Sequence, residues 1–299
     1  MSFTSDVKTE LSEIEYENEC CKRAYAYGFL IFGKSFSARS VYCASDYKCV
    51  IDSFDAALFN TSGVHASVSM LKSGKYTMRV ASQADKKKVL AAFDHSPNEV
   101  SLRINHGILE DDECYSAFLR GVFLSCGSIA NPDKNYHLEF VVPHYKLSQD
   151  LLKVLTDRDL KAKYIIRKYS HVIYLKESES IEDLLTMMGA TESSLKLMEI
   201  KIAKDVRNKI NRQMNFESAN MSRAIDAGLA QAKAINLIEK KQGLDSLDDD
   251  LKELAVLRKE NPDMTLKQLG EALSSPISRS GVNHRLAKLV AIADKYNKK

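Results

Sequence analysis

No stretch of this 299-residue sequence stays apolar long enough to span a bilayer, and the opening residues, Met1 to Glu19, are acidic rather than basic and apolar as a secretory signal would be. There is no C-x-x-C. Cys20 and Cys21 are adjacent, and the other four cysteines are scattered among apolar residues. That pattern argues against a disulfide framework and against the spacing of a zinc site, and it reads as reduced thiols in a cytosol. Asn60-Thr61-Ser62 and Asn220-Met221-Ser222 match the glycosylation pattern but carry no meaning without secretion. H-E-x-x-H, G-x-S-x-G and Cys/His pairs at ligand spacing are all missing, which removes the commonest metalloprotease and hydrolase chemistries. No metal and no cofactor is expected.

What is present is ordinary in amount and uneven in distribution. At 44% apolar and 28% charged residues, the chain has the composition of a globular protein with two sizeable cores. The net charge of +3 conceals an asymmetry. Residues 200–299 carry 19 Lys+Arg against 13 Asp+Glu, whereas residues 1–199 carry 24 against 27. A basic C-terminal third points to a polyanionic partner.

Two apolar helical runs organise the first two thirds. One is Tyr25-Ala26-Tyr27-Gly28-Phe29-Leu30-Ile31-Phe32-Gly33. The other is Phe118-Leu119-Arg120-Gly121-Val122-Phe123-Leu124-Ser125-Cys126. Each has a glycine in its middle, at a cost of about 1 kcal/mol relative to alanine, and close backbone packing of two helices would explain that cost. Gly28 and Gly121 would then face each other across a pseudo-twofold axis. The pair resembles the helix motif of LAGLIDADG homing endonucleases in degenerate form. In those nucleases the eighth motif position is an acid that holds the catalytic metal. Read in register from Ala26 and from Leu119, those positions here are Gly33 and Cys126, and neither offers the hard oxygen ligand that Mg²⁺ requires. The resemblance therefore implies the fold and argues against the reaction.

The remaining pattern repeats in the same order after each glycine helix. Ser2–Ala24 reads as an entry helix. Ser40–Cys43, Tyr47–Ile51, Val64–Leu71 and Tyr76–Ala81 read as strands, with helices at Phe54–Asn60 and Gln83–Phe93. The second pass has a helix at Asp112–Ser128, a strand at Tyr136–Val142 and a helix at Leu147–Thr156. A hairpin of Tyr164–Arg167 and His171–Leu175 follows, then a closing helix, Ile181–Met188, stopped by Gly189. The expected class is α+β. A two-repeat LAGLIDADG-like domain spans 1–192, with repeats of about 1–95 and 110–192. A basic linking helix covers 193–216, and a smaller all-α domain covers 217–299.

Within that last domain, Thr265 and Gln268 form a capping box before Leu266, Leu269 and Leu273. After Ser274-Ser275-Pro276 a second helix, Gly281–Lys295, is expected, capped by Ser278 or Ser280. Val282, Leu286, Leu289 and Ala293 share one face, and Ser280, His284, Ala287, Lys288 and Lys295 lie opposite, with Asn283 and Arg285 on the flanks. This is a helix-turn-helix at 265–299. The expected DNA-binding residues are Thr265, Gln268, Arg279, Ser280, Asn283, His284, Arg285 and Lys288. Lys201, Lys204, Arg207, Lys209 and Arg212 of the linker are added as weaker phosphate contacts.

Together with Asn208-Lys209-Ile210-Asn211-Arg212-Gln213-Met214-Asn215, Ser278-Arg279-Ser280-Gly281-Val282-Asn283-His284-Arg285-Leu286 and the opening Ser2-Phe3-Thr4-Ser5-Asp6, these features closely resemble the WhiA family, nearly end to end. The resemblance implies a cytoplasmic, nucleoid-associated regulator that binds double-stranded DNA. It further implies a role in cell division and chromosome segregation, transcriptional regulation in sporulating relatives, and no enzyme activity. The alternative is a metal-dependent endonuclease of LAGLIDADG type, for which Asp111, Asp112, Glu113 and Asp133 are the nearest acids. Gly28 to Ser35 also matches the P-loop pattern letter for letter, but helix precedes strand where a P-loop needs the reverse, so the match reads as a core helix.

Overall fold

The computed structural model describes residues 2–99 and 101–297. Met1, Val100, Lys298 and Lys299, which fall inside the expected domain ranges, lie outside the described residues. The chain forms two compact units that divide between Lys204 and Asp205, inside the stretch expected to link the domains.

The first unit opens with α1 (Phe3–Ser12) and α2 (Glu19–Ile31). The single entry helix expected over Ser2–Ala24 is thus two. The acid-rich Glu13–Glu17 stretch leaves the helix, and Tyr16 folds back onto the Tyr25 ring at 5.1 Å. Then come β1 (Ser35–Phe36), β2 (Val41–Ser45), α3 (Lys48–Ser62), β3 (Ser67–Met70), β4 (Tyr76–Arg79) and α4 (Gln83–Ala92). Tyr47–Ile51, expected as a strand, mostly begins α3, because Val50, Ile51, Phe54 and Leu58 bury one helical face.

The second half repeats the first: α5 (Asp112–Cys126), β5 (Gly127–Ile129), β6 (Leu138–Val142), α6 (Tyr145–Thr156), β7 (Lys163–Arg167), β8 (Ser170–Leu175) and α7 (Ser178–Met188). The two antiparallel sheets have the same strand order, β1-β2-β4-β3 and β5-β6-β8-β7. The helix expected to reach Ser128 stops at Cys126, and Gly127 turns directly into β5. A Cβ at Gly127 would fall against Phe123, so only glycine fits so abrupt a turn. The hairpin turn is Lys168-Tyr169, one residue earlier than expected, with φ of 47° and 66°.

Helices α2 and α5 form the centre of this unit. A Cβ on Gly28 would fall on the Phe118 carbonyl oxygen, and one on Gly121 on the Tyr25 carbonyl oxygen. Backbone meets backbone at both glycines, and Tyr25, Tyr27, Phe29, Phe118 and Phe123 fill the core on either side.

The basic linking helix expected at 193–216 and the start of the all-α domain expected from 217 are one 52-residue helix, α8 (Thr191–Gln242). The asparagines at 208, 211, 215 and 220 do not interrupt it. Exposed Asn costs a helix less than Gly or Pro does, and neither of those occurs between Thr191 and Ala227. The Glu10 carboxylate accepts the N–H groups of Glu192 and Ser193 at 2.8 and 3.0 Å, capping its start.

The second unit packs the end of α8 with α9 (Asp249–Glu260), α10 (Leu266–Ala272) and α11 (Arg279–Asn297). Its core is Ile235 and Ile238 from α8, Leu254 and Ala255 from α9, Leu269 and Leu273 from α10, and Val282, Leu286, Leu289 and Ala293 from α11. Gly228 lets α8 touch the Pro262 carbonyl. Arg258, almost wholly buried, donates to the Met264 carbonyl at 2.6 Å and so fixes the turn between α9 and α10.

Candidate nucleic-acid interface

Helix α10, the turn and α11 form a tight tripartite unit. The Thr265 side chain accepts the Gln268 N–H, and the Gln268 side chain accepts the Thr265 N–H at 2.9 Å. Both side chains are therefore spent on the start of α10, although both remain exposed. Gly270 admits the Ile277 carbonyl against the helix, and the Ile277 N–H donates to the Gly270 carbonyl at 3.1 Å. The Ser278 hydroxyl accepts the Gly281 N–H at 3.2 Å, so Ser278 rather than Ser280 caps α11, which begins at Arg279.

With Val282, Leu286, Leu289 and Ala293 turned inward, the outer face of α11 carries Arg279, Ser280, Asn283, His284, Ala287 and Lys288, all exposed. Arg285 is half-buried. It turns to the flank, where its Nη2 donates to Asp250 Oδ2 of α9 at 2.6 Å. Nearby, the Glu253 carboxylate accepts the Ser274 N–H at 2.6 Å. These acids fasten α9 to the turn and to α11. The Arg285 pair is one that an exposed surface leaves worth only about 0.2–1 kcal/mol. Arg285→Ala is accordingly expected to lower the melting temperature of the second unit only slightly, as checked by calorimetry.

In the first unit the ends of the two motif helices meet at a cleft lined by Gly33, Lys34, Asp46, Lys75, Cys126 and Lys8. Lys8 is buried, and its Nζ donates to the Leu124 carbonyl at 3.0 Å. Burial pulls its pKa from 10.5 down to about 8 and pushes the Cys126 thiol up to about 12. Asp46 is the one carboxylate among the lining residues, and it pairs with Lys75 at 3.3 Å. The place is furnished with ammonium groups and a neutral thiol. The other acids are elsewhere. Asp111 caps α5, Asp112 faces Arg158 at 3.6 Å, and Glu113 accepts from Asn18. These lie at the opposite end of α5, about 20 Å from Cys126 at 1.5 Å per residue. Asp133 sits in an exposed turn.

Two family models match the chain. That of the WhiA C-terminal HTH domain matches residues 210–293, and that of the WhiA LAGLIDADG-like domain matches residues 115–207. The chain is 36% identical over 316 aligned residues to the "Probable cell division protein WhiA" of Alkaliphilus metalliredigens, covering 99% of this chain and 98% of the relative. It is 35% identical to the protein of the same name from Clostridium tetani, covering 100% and 99%. The chain belongs to the WhiA family. Its fold also matches the crystal structure of full-length DUF199/WhiA from Thermatoga maritima, at a TM-score of 0.61, 22% identity and 99% coverage of both chains. The WhiA architecture of a LAGLIDADG-like domain followed by a helix-turn-helix accounts for both units. Among the described residues no helix is long and apolar enough to cross a membrane.

The basic residues of α8 in this WhiA chain separate into two groups. Lys201 is engaged by Glu179 at 2.7 Å and Glu182 at 3.4 Å, which holds the Glu179 carboxyl down at about 2. Lys204 donates to the Pro132 carbonyl at 2.6 Å and lies over the Tyr136 ring. Both belong to the first unit. Arg207, Lys209 and Arg212 are exposed, and Arg212 donates to the Asn208 carbonyl one turn back. Sequence spacing placed all five on one helix but gave no sign that α7 would claim Lys201.

Lys8 was not singled out by its sequence context, and it supplies a pH prediction. Between about 8 and 10.5 the unfolded chain holds a proton on Lys8 that the folded chain does not, so raising the pH across that window stabilises the fold. The contribution is up to roughly 3 kcal/mol. The Cys126 thiol, held protonated in the fold, acts in the opposite sense over the same window, so the check is a difference: by chemical denaturation, the stability of the unmodified chain relative to Lys8→Met should rise from the lower to the upper end.

Proposed function

We propose that this WhiA-family chain is a sequence-specific regulator that binds double-stranded DNA and lacks nuclease activity. It would act in the cytoplasm on the nucleoid, in cell division and chromosome segregation, by regulating transcription. The observation that carries the reading is the outer face of α11. Arg279, Ser280, Asn283, His284 and Lys288 stand free of the core on a helix whose opposite face is fully buried. A helix held this way enters the major groove, where Asn and Arg match base edges and Lys meets phosphate. Arg207, Lys209 and Arg212 add phosphate contacts that release counterions. Thr265 and Gln268, at the exposed start of α10, would add contacts to the DNA. The absence of cleavage rests on chemistry. Gly33 and Cys126 stand at the positions where a carboxylate pair would have to hold Mg²⁺, and the Lys8 ammonium in the same cleft repels that ion. The test is to incubate the full chain with genomic fragments and Mg²⁺. Salt-sensitive retention of particular fragments, all left uncut, is expected. Reproducible cleavage lost in Asp112→Ala or Asp133→Ala, or no retention even at low salt, would overturn it.

A further inference from the structure

Two adjacent thiols and a third far along the chain converge in the first unit. Cys20 and Cys21 lie in the first turn of α2, and Cys114 lies in the first turn of α5. Their sulfur atoms are all within 4.8 Å of one another, with Cys21 and Cys114 buried and Cys20 half-buried. The duplication explains the meeting. Cys21 and Cys114 stand at the same distance along the chain before Gly28 and Gly121, so the close approach that brings the glycines together brings the thiols together too. Asp111 adds a carboxylate at the edge. Its Oδ1 accepts the Cys114 N–H at 2.7 Å.

We propose that Cys20, Cys21 and Cys114 form a binding site for a thiophilic divalent metal ion of the zinc class. Thiolate sulfurs select such ions over Mg²⁺ or Ca²⁺. A tetrahedral site with Zn–S bonds of about 2.3 Å needs sulfurs about 3.8 Å apart, so the observed cluster has to contract by an ångström or less, within reach of side-chain rotation. Two helices begin at this cluster, and burial pushes the Cys21 and Cys114 thiols up, so an ion binds there by displacing their protons. Cys21 also borders a cleft lined by Glu15, Glu17, Asp112 and Glu113, whose carboxylates concentrate cations at its mouth. Arg120 lines the same cleft, but its guanidinium is drawn over the Tyr16 ring and its Nε donates to the Met188 carbonyl. A bound ion ties the start of α2 to the start of α5 and so cross-links the two repeats. C-x-x-C spacing is no guide here, because the ligands come from symmetry-related positions 93 residues apart.

The experiment is a Co²⁺ titration of the full chain, purified under reducing conditions and freed of metal. A thiolate-to-cobalt charge-transfer band that saturates at one equivalent and is displaced by Zn²⁺ is expected. Cys114→Ser should abolish the band, and Cys49→Ser, whose thiol lies on α3, should leave it. Zn²⁺ should also raise the melting temperature of the unmodified chain but not that of Cys114→Ser. A second measurement does not depend on any variant folding. One equivalent of Zn²⁺ should slow alkylation of Cys20 in the unmodified chain by about ten-fold or more, since a metal-bound thiolate is withdrawn from reaction. No band, unprotected Cys20, or a band that persists in Cys114→Ser would each overturn the site. A disulfide among the three cysteines in air, with no metal retained by the reduced chain, would overturn it as well.

Discussion

Gly28→Val and Gly121→Val should each lower the melting temperature of the first unit by about 6–12 °C, an overpacking cost of about 3 kcal/mol in a unit of this size. The reason is what lies opposite each glycine. A Cβ at Gly28 meets the carbonyl of Phe118, and one at Gly121 meets the carbonyl of Tyr25 and lies 2.8 Å from the Phe29 nitrogen. These are backbone atoms within helices, which cannot rotate aside as the end of a side chain can. The helices must separate instead, and separation opens the aromatic core of Tyr27, Phe29, Phe118 and Phe123. Calorimetry on the full chain reads the effect. Gly→Ala at the same positions should show the same sign with a smaller shift. Melting of the Val variants that matches the unmodified chain would mean that the helices are not packed as described.

The second large effect is on recognition. Asn283→Ala should weaken binding to a preferred duplex by roughly 5- to 150-fold, the 1–3 kcal/mol that an Asn–adenine pair contributes, while barely changing binding to a scrambled duplex. Asn283 is exposed near the start of α11 and has no hydrogen-bond partner among the described residues, so its amide is free for a base edge. Lys288 lies further along the same face, and Lys288→Ala should weaken both duplexes alike and flatten the salt dependence by about one unit. Arg285, tied to Asp250, is expected to behave like neither. Its removal loosens α11 against α9 and weakens both duplexes with little change in the salt dependence. Equal losses on both duplexes for Asn283→Ala would move base reading away from this residue.

Much of this was legible in the sequence, because local and global signals agree. The mid-helix glycines announced a close helix crossing, the repeated order of elements announced the duplication, and Thr265 with Gln268 announced the start of α10. Errors came where tertiary packing overrides local pattern. Val50 and Ile51 look like strand residues but serve a helical face whose other members, Phe54 and Leu58, lie further on. The linking helix expected to end at 216 runs on, because a long exposed helix tolerates the asparagines at 208, 211, 215 and 220. Pairings between distant residues were not legible at all. Arg285 with Asp250, Lys201 with Glu179 and Lys8 with the Leu124 carbonyl depend on which elements become neighbours.

The most direct test of sequence-specific reading by α11 is genome-wide chromatin mapping of the full chain beside its Asn283→Ala variant, at matched abundance. Discrete peaks sharing a recurrent motif, lost or levelled to background in the variant, are expected. Uniform coverage by the unmodified chain, or the same peaks in the variant, would contradict it.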